Sequence, residues 1–223
     1  MSAGRALLVA LALFALDQQP SVGAPARVSY HIDVPRSRFV VNTETTGMSS
    51  MFGHDHKLEV GDYAGDVSLV PGQPVTASLE LSVRADSLRA VEERDQDISA
   101  EIDAALRDHV LETRKYPTIT FTGRAVTATP REDGAFDVSL AGELDLHGVR
   151  RAVTVPLKVA FQGDTLRASG TLALRQRDFK IAPFSFAGGT VTVADRVTLS
   201  FTIVARRGTD RSPAPASRPR ERR

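Results

Sequence analysis

The stretch "GHDH", Gly53 to His56, is the sharpest polar cluster in the chain. In extended backbone alternate side chains share a face, so His54 and His56 would project to the same side. Two imidazoles placed that way bind a divalent metal once a third ligand joins them, and Asp55, Asp62 and His31 are the nearest candidates. A metal site needs three or four converging ligands, so the plainer reading is a polar loop or strand end whose histidines hydrogen-bond locally. We adopt that reading, keep His54 and His56 as the metal candidates, and expect no cofactor. His147, in "LHG", is the second chemical candidate. As a general base it would need a nucleophile beside it, yet the chain carries no G-x-S-x-G elbow, and the carboxylates near His147 fall on a polar strand face. It reads as a turn histidine bonded to backbone. Lys57, Arg177, Asp178 and Lys180 read as solvated or paired charges, with Arg177 and Asp178 suited to capping a strand end. The absence of cysteine excludes thiolate ligands, disulfides and a lipoprotein cysteine. These residues do not add up to an enzyme.

The elements that carry them read mainly as strands. In "GELDLHGVRRAVTVPLKVAF" the large apolar residues sit at even positions first, Leu144 and Leu146, and then at odd ones, Val153 to Phe161. Paired positions of an antiparallel hairpin sum to a constant, so a loop of two or four residues puts both sets on one face. "GVRR", Gly148 to Arg151, is read as that loop, with Gly148 free to take positive φ. Upstream, "AFDVSLAGELDL" places Phe136, Val138, Leu140, Leu144 and Leu146 together. "TITFTGRAV", "TLRASGTLALRQ" and "VTVADRVTLSFTIVA" alternate likewise, and "RFVVNTETT", "YAGDVSLV", "TASLELSVRA" and the short "VSYHID" supply earlier strands. That makes eight or so, mostly antiparallel, each with one apolar face. One segment departs: "DISAEIDAALRDHVLE" has Ile98, Ile102, Ala105, Leu106 and Val110 at helical spacing, and Pro117 then bars continuation. Strands of this kind bury their faces as two stacked sheets or as a closed barrel.

Hydrophobic content of 42% and charged content of 25% over 223 residues fit a globular chain with a sizeable core. Arg5, the apolar run Ala6 to Leu16 and the small residues of "SVGAPA" read as a signal peptide, residues 1–26, cut near Ala26; the run is too short to span a bilayer. The net charge of +1 hides an asymmetry. From Arg206 onward seven Arg face only Asp210 and Glu221, so residues 206–223 read as a disordered Arg- and Pro-rich tail. Such a tail can touch anionic lipid weakly. The body is mildly acidic, which argues against nucleic acid as a partner.

Several stretches resemble the YceI-like family: "YPTITF", "GELDLHGVRRAVTVPLKVAF", "RDFKIAPFSFAGGTVTVADRVTLSFTIVA", and the strand-to-helix link "SLRA" with "LRDHVLETRKYP". The order of these motifs covers nearly all of residues 27–205. The resemblance implies an all-β domain with one short helix, a lipocalin-like eight-stranded antiparallel β-barrel exported to the periplasm. It implies an elongated apolar pocket that binds a polyisoprenoid or similar lipid.

The chain thus reads as a binding module for a long apolar small molecule, polyisoprenoid or fatty-acid-like. The inward faces supply the candidate ligand contacts: Phe39 and Val41 from the first third; Leu81 and Phe121 next; Val138, Leu140 and Leu144; Val155 and Leu157; Leu172 and Leu174; and Leu199 with Phe201. Phe184 and Phe186, alternating in "PFSFAGG", are candidates for the pocket mouth or for plain core. Two other readings stand beside this one: a metal or enzymatic site on His54, Asp55 and His56, and a fully packed barrel acting through its surface. Nothing in the pattern sets the oligomeric state, and a dimer is compatible with it.

Overall fold

The structure is a computed structural model that describes residues 25–46, 56–91, 96–186 and 191–208; for Thr45, Thr46, Gln96, Asp97, Ile98, Phe186 and Val191 it describes the backbone alone. The strands are β1 (Val28–Ile32), β2 (Arg38–Thr46), β3 (His56–Val60), β4 (Tyr63–Val70), β5 (Gln73–Arg84), β6 (Leu88–Val91), β7 (Thr118–Pro130), β8 (Phe136–Leu146), β9 (Val149–Gln162), β10 (Thr165–Arg175), β11 (Ser185–Phe186) and β12 (Val191–Arg207), with helix α1 (Gln96–Ala105) between β6 and β7.

Among the described residues eleven of the twelve strands make eight staves, and the two-residue β11 pairs with β12 off that path. β1 and β2 form one stave, broken by the turn Val34–Arg36, where Pro35 has no N–H to give. β3 with β4, and β5 with β6, are two more, broken at residues 61–62 and 85–87. Neighbouring staves pair antiparallel in chain order, and β12 closes the barrel by pairing with β10 on one side and with β2 and β1 on the other. The expected closed eight-stranded barrel is therefore the fold, and its interior is the place where the apolar faces meet. The last strand runs through Arg206 and Arg207, two residues past the expected boundary. Arg206 Nε there donates to Asp33 Oδ2 at 2.7 Å, and the Arg207 amide donates to the Asp164 carbonyl at 2.8 Å.

The β8–β9 hairpin answers the parity change. Its turn is two residues, His147–Gly148, with φ of 55° and 69°, not the four residues Gly148–Arg151. Leu146 then lies across from Val149 and Leu140 from Val155, so even positions of β8 share a face with odd positions of β9. Positive φ at both central residues twists the hairpin the way its strands already twist.

Helix α1 fills a gap in the wall. β5 pairs with β7, but among the described residues β6 pairs only with β3, which leaves a strand edge facing the helix. Asp103 of α1 covers it: Oδ1 accepts from the Ala90 amide at 2.8 Å, and Arg89 Nε lies 3.6 Å from Oδ2. Ile102 and Leu106 pack on Leu58 from the same side. The helix ends in a π-helical turn, Leu106–Val110, with the Leu111 amide bonded to the Leu106 carbonyl at 2.8 Å. Aromatic rings pack along the barrel: Phe39 stands edge-on to Tyr63 at 4.8 Å and stacks on Phe201 at 5.9 Å, while Phe161 meets Tyr30 and Phe136 towards the opposite end.

Candidate ligand cavity

The barrel is not filled from end to end. A cavity of about 290 Å³ runs through it, and its lining is almost wholly aliphatic and aromatic. The volume sits at the lower end of the range typical of small-molecule pockets. Phe39, Val41, Leu81, Phe121, Val138, Leu140, Leu144, Val155, Leu157, Leu172, Leu174, Leu199 and Phe201 all border it. Phe184 borders it as well, its ring stacked on His109 at 6.2 Å. The side chain of Phe186 lies outside the described residues. Strand alternation explains the grouping of all but Phe184, which precedes β11, because each of the others sits on the inward parity of its strand. Val41, Leu81, Leu157, Leu172, Leu174 and Leu199 point inward yet stay only partly buried, since each packs on core side chains but also faces the hollow.

Other lining residues were not among the ligand contacts expected from the sequence. Leu58 and Val60 come from β3, and Ile102, Leu106 and Val110 come from the helix and its π turn, with Phe179 and Ile181 from the link after β10. The alternation in "HKLEV" and the helical spacing of the last three carried a signal. That the helix turns its apolar face into a gap of the barrel wall depends on the missing β6–β7 pairing.

Besides Ser78, Thr120 and Arg175, the described lining residues include three polar side chains, Thr43, His56 and Gln176. They lie on neighbouring strands at one end. Thr43 pairs with His56 on one side and Val197 on the other, and Val197 pairs with Leu174. Gln176 Nε2 donates at 2.8 Å to the carbonyl of Ala194, which stands in a bulge between Val193 and Val197. The bulge aims that carbonyl at Gln176 and exposes a loop carboxylate, so Asp195 Oδ1 accepts from the Arg177 amide at 2.9 Å. Thr43 Oγ1 donates to the His56 carbonyl at 3.3 Å.

Of the residues weighed for a metal, only His56, His31 and Asp62 lie among the described ones. His56 faces the cavity, His54 and Asp55 lie outside the described residues, His31 pairs with Asp66 on the barrel wall, and Asp62 lies 3.3 Å from Arg84. Among the described residues no three His, Asp or Glu side chains are grouped to hold a metal ion. His147 occupies its turn with both ring nitrogens engaged, 3.2 Å from the Phe179 carbonyl and 2.8 Å from Glu112.

The family pattern described as the YceI-like domain matches residues 30–205. Protein YceI of Escherichia coli O17:K52:H18 is 29% identical over 147 residues, covering 65% of this chain and 68% of its own. Among solved structures, BcnA of Burkholderia cenocepacia aligns with a TM-score of 0.57 at 20% identity, over 78% of this chain and 98% of its own. A polyisoprenoid binding domain from Saccharophagus degradans aligns with a TM-score of 0.58 at 14% identity, over 81% and 99%. At these identities the two structures share the fold, a closed antiparallel barrel. The pattern spans the barrel from β1 into β12, and this chain belongs to the YceI-like family.

Proposed function

We propose that this protein is an exported, periplasmic carrier or buffer of a long apolar ligand, a polyisoprenoid or related lipid, held inside the barrel. The observation that carries the reading is the hollow itself: a closed barrel in which inward residues such as Val41, Leu157 and Leu199 remain partly buried around about 290 Å³ of space. Such a lining offers burial and little else. Each buried methylene contributes about 0.8 kcal/mol, and micromolar affinity needs about 8 kcal/mol net after an association cost of very roughly 4–15 kcal/mol. On the order of 15–30 methylene equivalents meet that requirement, which a polyprenyl chain supplies and a short acid does not. The polyisoprenoid binding domain of the same fold supports this choice, as does the signal-like start of the chain, cut near Ala26.

Titration of lipid-free protein with geranylgeraniol by calorimetry tests the reading. Saturable one-to-one binding at micromolar or tighter affinity, with a negative heat-capacity change, is the expected result. No heat and no protection against thermal unfolding would overturn it.

A further inference from the structure

His147 is buried at the β8–β9 turn, and each of its ring nitrogens faces an acceptor. Nδ1 meets the Phe179 carbonyl of the link after β10, and Nε2 meets the half-exposed Glu112 carboxylate beyond the π turn. A neutral imidazole carries one N–H, and a carbonyl and an ionised carboxylate carry no hydrogen to donate. Both contacts are hydrogen bonds only while the pair holds one proton more than a neutral ring and a carboxylate bring. Without it, one nitrogen lone pair is pressed against an oxygen with no hydrogen between them, and burial makes that costly.

The three segments that meet at His147 hold costly backbone. Glu112, His147 and Lys180, one in each, are the non-glycine residues with positive φ among those described. A Cβ disfavours that conformation, and such residues gather at switch regions. The same segments carry cavity lining: Leu111 stands next to Glu112, and Phe179 and Ile181 flank Lys180. The Tyr116 ring packs on both His147 and Gly148, where a Cβ would lie 2.6 Å from it. Glu112 is the charged group in contact with the imidazole. The other charges on these segments are Asp178 and Lys180 beside Phe179, Lys115 over the Tyr116 ring, and Arg150, which donates to Asp145 at 3.0 Å. Arg151 Nε donates to the Asp178 carbonyl at 2.7 Å.

We propose that Glu112 and His147 form a proton-operated latch on the helical end of the cavity. While the pair holds its extra proton, the link carrying Phe179 and Ile181 is bound to the hairpin and, through His147, to the segment after the π turn. Once the proton leaves, one of the two bonds breaks, the strained segments move apart and that end of the cavity opens. Acid therefore favours the closed form and alkali the open one. The consequence for a ligand rests on the carrier reading above; the latch itself does not.

Two readouts on the full-length protein test the latch. One is the Ile181 methyl resonance of lipid-free protein, followed by NMR. The other is release of bound geranylgeraniol to an excess of phosphatidylcholine vesicles. From about pH 5 to about pH 9 the methyl should move between two positions, and release should quicken roughly tenfold. In Glu112→Gln the amide N–H supplies the missing hydrogen to a neutral ring, so the methyl should keep its acid position and release should stay slow throughout. In His147→Asn the latch is gone, and release should be fast throughout. His56 lines the cavity too but is kept in all three proteins, so a pH response that survives in Glu112→Gln arises elsewhere and overturns the latch. A wild type whose methyl and release both ignore pH overturns it as well and leaves the carrier standing. A methyl that responds as described, in protein that takes up no geranylgeraniol, upholds the latch and overturns the carrier.

Discussion

Glu112 and His147 meet at the helical end of the barrel, Oε2 to Nε2 at 2.8 Å, and both hold backbone conformations with positive φ, 44° and 55°. Glu112 follows the π turn and His147 opens the β8–β9 turn. The other ring nitrogen, Nδ1, lies 3.2 Å from the Phe179 carbonyl, and the Tyr116 ring centroid is 4.3 Å from that of the imidazole. One buried side chain thus ties the helix, a hairpin and the link after β10 together where they border the cavity. Asparagine tolerates positive φ almost as readily as glycine does, so His147→Asn keeps the turn and removes the bridge. We expect a loss of about 1–3 kcal/mol from the unpaired partners, read as a lower urea midpoint. With Glu112→Gln, a double-mutant cycle should show coupling of about 0.5–3 kcal/mol; strict additivity would mean the two residues act independently.

Gly142 sits where β8 presses on β7. A Cβ built there would lie 2.3 Å from the Thr122 carbonyl and 2.8 Å from the Phe121 ring, which covers the paired glycines Gly123 and Gly142. Gly142→Ala should cost about 1–3 kcal/mol through forced displacement. An unchanged denaturation midpoint would show that the strands do not approach this closely.

Tyr63 donates to the Ser37 carbonyl at 2.8 Å beneath the break between β1 and β2. Burial, and secondarily the Glu59 carboxylate, push its phenol above the ordinary tyrosine range. A raised folded pKa means that the neutral phenol's contribution to stability is full below the unfolded value of about 10 and is lost as pH rises through the folded one. An ultraviolet titration should show a late alkaline transition that Tyr63→Phe removes. The same variant should cost about 0.5–1.5 kcal/mol at neutral pH.

Much of this architecture was legible in the residues. β2 and β4 coincide with "RFVVNTETT" and "YAGDVSLV", because uninterrupted alternation between turn residues leaves little choice of element. β3 and β6 were not read as strands. They are four or five residues long, so that alternation such as that of "HKLEV" has too few positions to set a strand apart by itself, and they exist because longer staves break at Gly61 and at the turn Ala85–Ser87. Parity showed which side of each strand is apolar, and so found Leu157 and Leu199. It carries no information on how closely opposite walls approach, so the hollow needed coordinates. Likewise the placement of His56 inside the wall depends on β3 pairing with β2, which the polar "GHDH" obscured.

Leu157→Trp separates a hollow from a packed core. Leu157 faces the cavity and is only partly buried, so the indole should enter free space at less than the roughly 1–3 kcal/mol that overpacking costs. It also introduces the chain's single tryptophan. Lipid-free L157W should bind geranylgeraniol at least roughly tenfold more weakly than the wild type, because the ring takes the ligand's volume. Full affinity in L157W would place the ligand elsewhere.

The most direct measurement is mass spectrometry of the organic-soluble material that leaves the protein when it is purified without detergent and then extracted. The account predicts one predominant long-chain species of the polyisoprenoid class, approaching one molecule per chain, whose removal opens the cavity to added prenyl lipid. Protein that yields no such molecule and, offered prenyl alcohols or fatty acids, takes up none of them would contradict it.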